Sequence, residues 1–131
     1  MLGIDIEDNS RFENKKDDIK FLERIFTKSE IEYCLLHKNY SAHLCARFCA
    51  KEAVIKALTP FGIKLSKMSL IELYHGIYGE ARIRILDDNY SDIKIDISIS
   101  HDKTKSIAIA MVDKTSLQKY IYKPCCIGDE D

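Results

Sequence analysis

Two acidic residues from distant parts of the chain are the first candidates for chemistry. Asp5 interrupts a short apolar segment, and Glu52 lies in a long segment with helical spacing. Taken alone, Asp5 is typical of a strand end, and Glu52 with Lys56 is typical of a helix-stabilising pair four residues apart. Taken together, the two carboxylates and bound waters would suit a hard divalent cation that prefers oxygen ligands, Mg²⁺ above all.

Basic residues accompany these carboxylates. Arg47 and Lys56 share the helical segment of Glu52, and His101 ends the most regular strand of the chain. A histidine at a strand end is usually a surface residue, but all three basic side chains can donate to phosphate oxygens. Carboxylates for a metal beside donors for phosphate indicate phosphoryl transfer, where catalysis is mainly positioning and charge neutralisation. No Walker-type glycine loop is present, so the sequence does not indicate a P-loop hydrolase.

The cysteines indicate a reducing compartment rather than a disulfide framework. Their number, five, is odd and their spacing is irregular. A zinc site that combines Cys45 and Cys49 with the nearby His43 matches no standard ligand spacing. We therefore interpret both cysteines as small buried apolar residues.

The chain length and net charge further limit the class of protein to which the sequence can belong. The chain of 131 residues fits one domain, and its formal net charge of −1 argues against a general nucleic-acid binder. There is no apolar run of about 18 residues and no secretory signal pattern, so we expect a cytoplasmic protein without a membrane segment. The domain is predicted to span residues 1–119, with a loose tail over 120–131.

The predicted secondary structure changes from mainly helices to mainly strands half-way along the chain. A short strand over 2–6 precedes helical segments, one of which begins at a capping box formed by Thr27 and Glu30. The longest helix is predicted from an N-cap at Ser41 to about Leu58. The second half alternates apolar and polar residues and predicts strands over 69–74, 80–86, 93–99 and 106–112. The predicted fold class is α+β, with an antiparallel sheet packed against helices.

Four blocks in order along the chain resemble the holo-(acyl-carrier-protein) synthase family, the small bacterial 4′-phosphopantetheinyl transferases. The blocks are Gly3-Ile4-Asp5-Ile6 through Arg11-Phe12, then Glu23–Glu30, Arg47–Ala57, and Ile97–His101 with the alanine-rich strand Ile107–Ala110 after it. The resemblance is collinear over roughly residues 2–112. One block alone would be a weak signal, whereas the four in order are specific.

The resemblance implies a fold, a reaction and a set of site residues. It implies a trimeric α+β enzyme that transfers the 4′-phosphopantetheine group of coenzyme A to a serine of apo-acyl carrier protein, releasing adenosine 3′,5′-bisphosphate. Because the attacking hydroxyl belongs to the partner, the chain needs no nucleophile of its own. The serine proton would go to a metal-bound water, or through a water to Glu52 or Asp5. The implied roles are catalysis for Asp5, Glu52 and Lys56, Mg²⁺ binding for Asp5 and Glu52, coenzyme A binding for Arg47, Lys56 and His101, and carrier-protein binding for Arg11 and Lys20.

Two features of the residues bear on the implied homotrimer with shared sites. The segment over 107–112 is apolar on both faces, and a neighbouring chain could cover the face that the helices leave open. Lys51 falls inside the apolar stripe of its helix, where its ammonium would meet a neighbour's carboxylate. In the alternative, the N-terminal helices wrap both faces and Lys51 reaches water.

Two other functions compete with the transferase. One is a non-catalytic trimeric module that holds a nucleotide or an acidic partner. The other is a metal-dependent phosphodiesterase, which would cleave coenzyme A without any carrier protein.

Overall fold

The longest helix of the chain lies across a three-stranded antiparallel sheet. The computed structural model describes residues 1–120. The helices are α1 (Ile19–Glu23), α2 (Lys28–Leu35), α3 (Tyr40–Leu58) and α4 (Lys114–Leu117), and the strands are β1 (Leu2–Asp8), β2 (Ile71–His75), β3 (Ala81–Ile85), β4 (Ile95–His101) and β5 (Lys105–Val112). The large sheet has the order β1-β5-β4, and β2 pairs with β3. All pairings are antiparallel, which confirms the predicted α+β class.

The two predicted helix starts have different outcomes. The capping box of α2 forms as predicted, because the Thr27 side chain accepts from the Glu30 N–H and the Glu30 side chain accepts from the Thr27 N–H. The predicted N-cap of α3 at Ser41 is wrong. The cap residue is Asn39, whose carbonyl accepts the first helical hydrogen bonds from Ala42 and His43 and whose side chain makes no capping bond.

A glycine brings β1 unusually close to α3. A Cβ atom added at Gly3 would lie 1.9 Å from the carbonyl oxygen of Ala53 and 2.7 Å from the nitrogen of Ala57. Only a residue without a side chain allows this approach. Because alternate residues of a strand share a face, Asp5 also points towards α3. The sequence of β1 therefore positions this carboxylate.

Lys51 is fully buried and is neutralised within its own chain. Its ammonium donates to Glu30 Oε1 at 2.8 Å, to the carbonyl oxygen of Met68 at 3.2 Å and to that of Ile71. Burial lowers the pKa of Lys51, and the Glu30 carboxylate opposes that shift. Both predictions for Lys51, a neighbour's carboxylate or a route to water, are wrong because α2 supplies the partner.

The outer face of the large sheet carries exposed apolar side chains. On β1, Leu2 is 61% exposed, Ile4 53% and Ile6 58%, and their cross-strand neighbours Ile109 and Met111 are also exposed. The opposite face of β5 is buried against α3. The alternative in which helices wrap both faces is therefore wrong for the chain as described.

The C-terminal boundary is only partly visible. Tyr120, which the sequence placed in the tail, packs on Tyr90 with ring centroids 5.2 Å apart. The rest of the predicted tail, 121–131, lies outside the described residues. Within residues 1–120, no helix is long and apolar enough to cross a membrane.

Candidate active site

An ion pair joins β1 to α3. The Lys56 ammonium lies 3.1 Å from Asp5 Oδ1 and also donates to the carbonyl oxygen of Ile4 at 3.0 Å. The Asp5 side chain is only 9% exposed, whereas that of Lys56 is 53% exposed. The Cys49 thiol lies 3.4 Å from the second carboxylate oxygen of Asp5. The partner of Lys56 is therefore Asp5, and the simple helix-surface pair with Glu52 does not form.

Glu52 lies on the same flank of α3 as this ion pair. It is three residues after Cys49 and four before Lys56, and both of those side chains contact Asp5. Glu52 is half-buried and has no hydrogen-bond or ion-pair partner among residues 1–120. The fold thus brings the predicted residues Asp5, Glu52 and Lys56 to one place and leaves one carboxylate free.

The sequence analysis missed a third carboxylate, Glu7. Burial and the adjacent Asp5 carboxylate raise the pKa of Glu7, and the Arg11 guanidinium, which donates to it at 2.8 Å, opposes that shift. The period-two alternation of β1 could have found it, because Asp5 and Glu7 share a strand face. Repulsion between these neighbouring carboxylates favours a bound cation.

The donor set at this junction fits Mg²⁺. Asp5, Glu7 and Glu52 offer only oxygen ligands, which hard cations prefer. Residues 1–120 contain no group of three or more acidic, histidine or cysteine side chains close enough to enclose a metal. Mg²⁺ does not need such an enclosure, since it commonly keeps several waters and binds one or two carboxylates together with substrate phosphates.

Arg47 and His101 meet in a different place, a cavity of about 430 Å³ between α3, β4 and the β2–β3 turn. Arg47 is 4% exposed, and its guanidinium lies 4.5 Å from the ring centroid of Tyr33. Its buried Nε has no hydrogen-bond partner among the described residues. Because Arg47 lines this cavity as a permanent cation, the cavity is suited to an anionic ligand.

Lys56 and Arg47 do not share one pocket within a single chain. They are nine positions apart on α3, which places them about 13 Å apart along its axis and half a turn out of phase. Lys56 faces β1, and Arg47 faces α2 and β4. The predicted coenzyme-binding residues therefore form two groups, Lys56 on one flank of α3 and Arg47 with His101 on the other.

The two residues predicted to bind a carrier protein are both exposed. Arg11 follows β1 in a short 3-10 turn, where its guanidinium stacks 4.7 Å from the ring centroid of Phe48 and pairs with Glu7. Lys20 lies on α1. Arg11 is joined to the carboxylate junction through Glu7.

Cys45 and Cys49 are buried, as predicted, and so is Cys34. Cys34, Cys45 and Cys49 are free thiols with no solvent exposure. Burial raises the pKa of Cys34 to about 11 and that of Cys45 to about 11, which keeps both protonated and unsuited to metal binding at neutral pH. Cys125 and Cys126 lie outside the described residues.

Comparisons with known proteins identify the family. The sequence profile of the 4′-phosphopantetheinyl transferase superfamily matches residues 1–120. The chain belongs to this superfamily. The holo-(acyl-carrier-protein) synthase of Aquifex aeolicus is 35% identical over 123 residues, covering 88% of this chain and 100% of that protein. The enzyme of the same name from Ehrlichia canis is 38% identical over 123 residues, covering 89% and 96%.

Solved structures of this superfamily have the same fold. The holo-(acyl-carrier-protein) synthase of Helicobacter pylori in complex with coenzyme A gives a TM-score of 0.71 at 30% identity, covering 86% of this chain and 100% of that one. The Bacillus anthracis synthase, in complex with CoA (3′,5′-ADP), gives 0.68 at 28% identity, covering 85% and 93%. The resemblance stated from the sequence is confirmed.

Proposed function

We propose that this chain transfers the 4′-phosphopantetheine group of coenzyme A to a serine of apo-acyl carrier protein. The products are holo-acyl carrier protein and adenosine 3′,5′-bisphosphate. The observation that carries the proposal is the Asp5–Lys56 ion pair beside Glu52, which has no partner among residues 1–120, in a chain of this superfamily. The relatives named holo-(acyl-carrier-protein) synthase and the coenzyme A complex of one of them support it.

Each residue of the junction has a distinct task in this reaction. Asp5 and Glu52 would hold Mg²⁺, which would supply charge neutralisation to the pyrophosphate oxygens of coenzyme A. Asp5 also orients the half-exposed Lys56 ammonium, which can donate to a phosphate oxygen. Arg47 and His101 bind another phosphate in their cavity. The carrier-protein serine attacks phosphorus, and adenosine 3′,5′-bisphosphate leaves.

Mass spectrometry of apo-acyl carrier protein incubated with the chain, coenzyme A and Mg²⁺ tests the reaction. We expect the carrier protein to gain one phosphopantetheine group and adenosine 3′,5′-bisphosphate to be released in equal amount. A binding module would produce neither change. A phosphodiesterase would release the nucleotide without a carrier protein present, so a reaction that lacks it is the decisive control.

Lys56→Gln is expected to weaken coenzyme A binding by roughly tenfold to a hundredfold, because a charge-assisted hydrogen bond to phosphate is lost. Titration calorimetry with coenzyme A measures the effect. Lys67→Gln removes an exposed lysine away from the junction and serves as the control. Unchanged affinity in Lys56→Gln would mean that Lys56 only neutralises Asp5.

We also propose that Arg11 and Lys20 receive the acidic carrier protein, in a cytoplasmic compartment that suits the three buried free thiols. Arg11→Glu is expected to raise the Michaelis constant for carrier protein several-fold more than that for coenzyme A. The difference between wild type and Arg11→Glu in the Michaelis constant for carrier protein should shrink as salt is added, because exposed charges are screened. Steady-state kinetics with each substrate varied in turn decides this, and equal effects on both constants would make Arg11 a structural residue.

A homotrimer with shared sites is the assembly that we propose. The exposed apolar face of β1 and β5 is suited to burial against a second copy, since monomers rarely expose contiguous apolar surface of this kind. A shared site would also bring the Lys56 flank of one chain to the Arg47 flank of its neighbour, so that one coenzyme A contacts both.

Light scattering is expected to give about three times the chain mass of 15.1 kDa. Ile4→Asp places a charge on the exposed sheet face and should yield a folded species near the mass of one chain with little activity. Ile77→Asp, in the turn between β2 and β3, changes an isoleucine that is 89% exposed elsewhere and should remain trimeric. An active wild-type species of single-chain mass would contradict the assembly.

A further inference from the structure

Three of the four histidines of the sequence surround Tyr33, and the fourth, His101, lies near one of them. The ring centroid of Tyr33 lies 4.7 Å from that of His37, 5.9 Å from that of His43 and 5.3 Å from that of His75. The centroids of His43 and His101 are 6.4 Å apart. These residues come from α2 and the turn after it, α3, β2 and β4, so only the folded chain unites them.

Three of the four histidines line the cavity between α3, β4 and the β2–β3 turn. His43, His75 and His101 line it together with Arg47, whereas His37 lies behind His43 with ring centroids 4.0 Å apart. Glu80 is the one acidic residue among the described lining residues, and its carboxylate accepts from Arg82 at 2.9 Å and from the Tyr78 N–H at 2.9 Å. The cavity therefore combines one permanent cation with several groups that can gain a proton.

Within this group of histidines, the surroundings lower the pKa of His43 most strongly. Burial, then His37, Arg47, His101 and His75 in that order, lower the pKa of His43 to about 4. In the chain alone its imidazole is therefore neutral at physiological pH. A phosphate dianion beside it would favour the charged form, as any close opposite charge does.

We propose that His43 is a further phosphate-binding residue of this cavity, and that it takes up a proton when a phosphate group of coenzyme A enters. The proposal rests on the proposed function for the identity of the ligand. Arg47 attracts the phosphate, and His43 completes the site as an imidazolium that donates a charge-assisted hydrogen bond. Because the proton is held more tightly with phosphate present, affinity rises as pH falls towards the pKa of free His43.

The described groups that face His43 are aromatic or basic. Tyr33 and His37 contact it from the α2 side, Arg47 lies one turn further along α3, and His75 and His101 approach from β2 and β4. Every charge that these groups can carry near neutral pH is positive. The one acidic residue among the described lining residues, Glu80, is paired with Arg82, so a bound phosphate would add a negative charge that the groups facing His43 do not supply.

Titration calorimetry of the full-length chain with coenzyme A tests this inference. Measuring the binding enthalpy in two buffers of different ionisation enthalpy counts the protons taken up. Wild type is expected to take up more protons than His43→Gln, and its affinity advantage over that variant should grow roughly tenfold from about pH 8 to about pH 6. The ligand's own protonation is the same for both proteins and cancels in the comparison.

His37→Gln is the matched control, because it removes an imidazole from the cluster but not from the cavity lining. It is expected to take up more protons than His43→Gln, as wild type does. Equal proton uptake in wild type and His43→Gln, or a loss of affinity in His43→Gln that is the same at every pH, would overturn the inference while leaving the proposed function intact. Failure of the chain to bind coenzyme A at any pH would overturn both.

Discussion

Replacing Glu52 by glutamine is expected to lower the rate of phosphopantetheine transfer by roughly a thousandfold, which corresponds to about 4 kcal/mol of transition-state stabilisation. Glutamine keeps the size of the side chain but removes the charge that would bind Mg²⁺. Because Glu52 has no hydrogen-bond or ion-pair partner among the described residues, the substitution removes no such interaction from residues 1–120. The free energy of unfolding should therefore stay within about 0.5 kcal/mol of wild type.

Turnover at saturating Mg²⁺ and urea-induced unfolding of the same samples measure the two effects. Glu32→Gln, an exposed glutamate on α2, is the control and should leave both unchanged. Asp5→Asn should also abolish transfer, but with some loss of stability, since Asp5 is buried and pairs with Lys56. Near-normal turnover of Glu52→Gln would remove Glu52 from the metal site.

Lys51→Met is expected to destabilise the fold by about 3–5 kcal/mol, which is the usual result of removing one partner from a buried ion pair. Methionine fills a similar volume but leaves the Glu30 carboxylate without its cation and frees the carbonyl oxygens of Met68 and Ile71. These groups join α3 to α2 and to the segment that leads into β2. A loss of this size is a large part of the stability of a small domain.

Urea unfolding of Lys51→Met, with Lys64→Met as an exposed-lysine control, measures this loss. The double variant Lys51→Met with Glu30→Gln should be more stable than Lys51→Met alone, because glutamine carries no buried charge and its one carbonyl oxygen can still accept from the N–H of Thr27 or of Leu73. If Lys51→Met unfolds at the same urea concentration as wild type, the buried pair does not stabilise the fold.

Local patterns predicted the elements well, and tertiary contacts account for what they missed. The capping box at Thr27 is contained within four consecutive residues, so the start of α2 was predictable. Helical spacing correctly placed Lys51 in the apolar stripe of α3, but its partner Glu30 is 21 residues earlier. Only the packing of α2 on α3 brings the two together, and no spacing rule relates them.

In the candidate site, too, local sequence patterns were predictive and tertiary contacts were not predictable. Asp5, Glu52 and Lys56 were predicted from blocks of sequence, and the close approach at Gly3 explains why the first block meets the third. The pairing of Lys56 with Asp5 instead of Glu52 depends on which strand lies beside α3. The histidines around Tyr33 come from segments with no common pattern, so their meeting was not predictable from the sequence.

The arrangement of Lys56 and Arg47 on opposite flanks of α3 has a genetic consequence if sites are shared between chains. A chain defective at Lys56 still offers an intact Arg47 flank to its neighbour, and a chain defective at Arg47 still offers an intact Lys56 flank. Mixed trimers of the two inactive chains would contain some sites in which both the Lys56 flank and the Arg47 flank are intact. Two inactivating missense alleles of this one gene, one at Lys56 and one at Arg47, should therefore complement each other in the same cell.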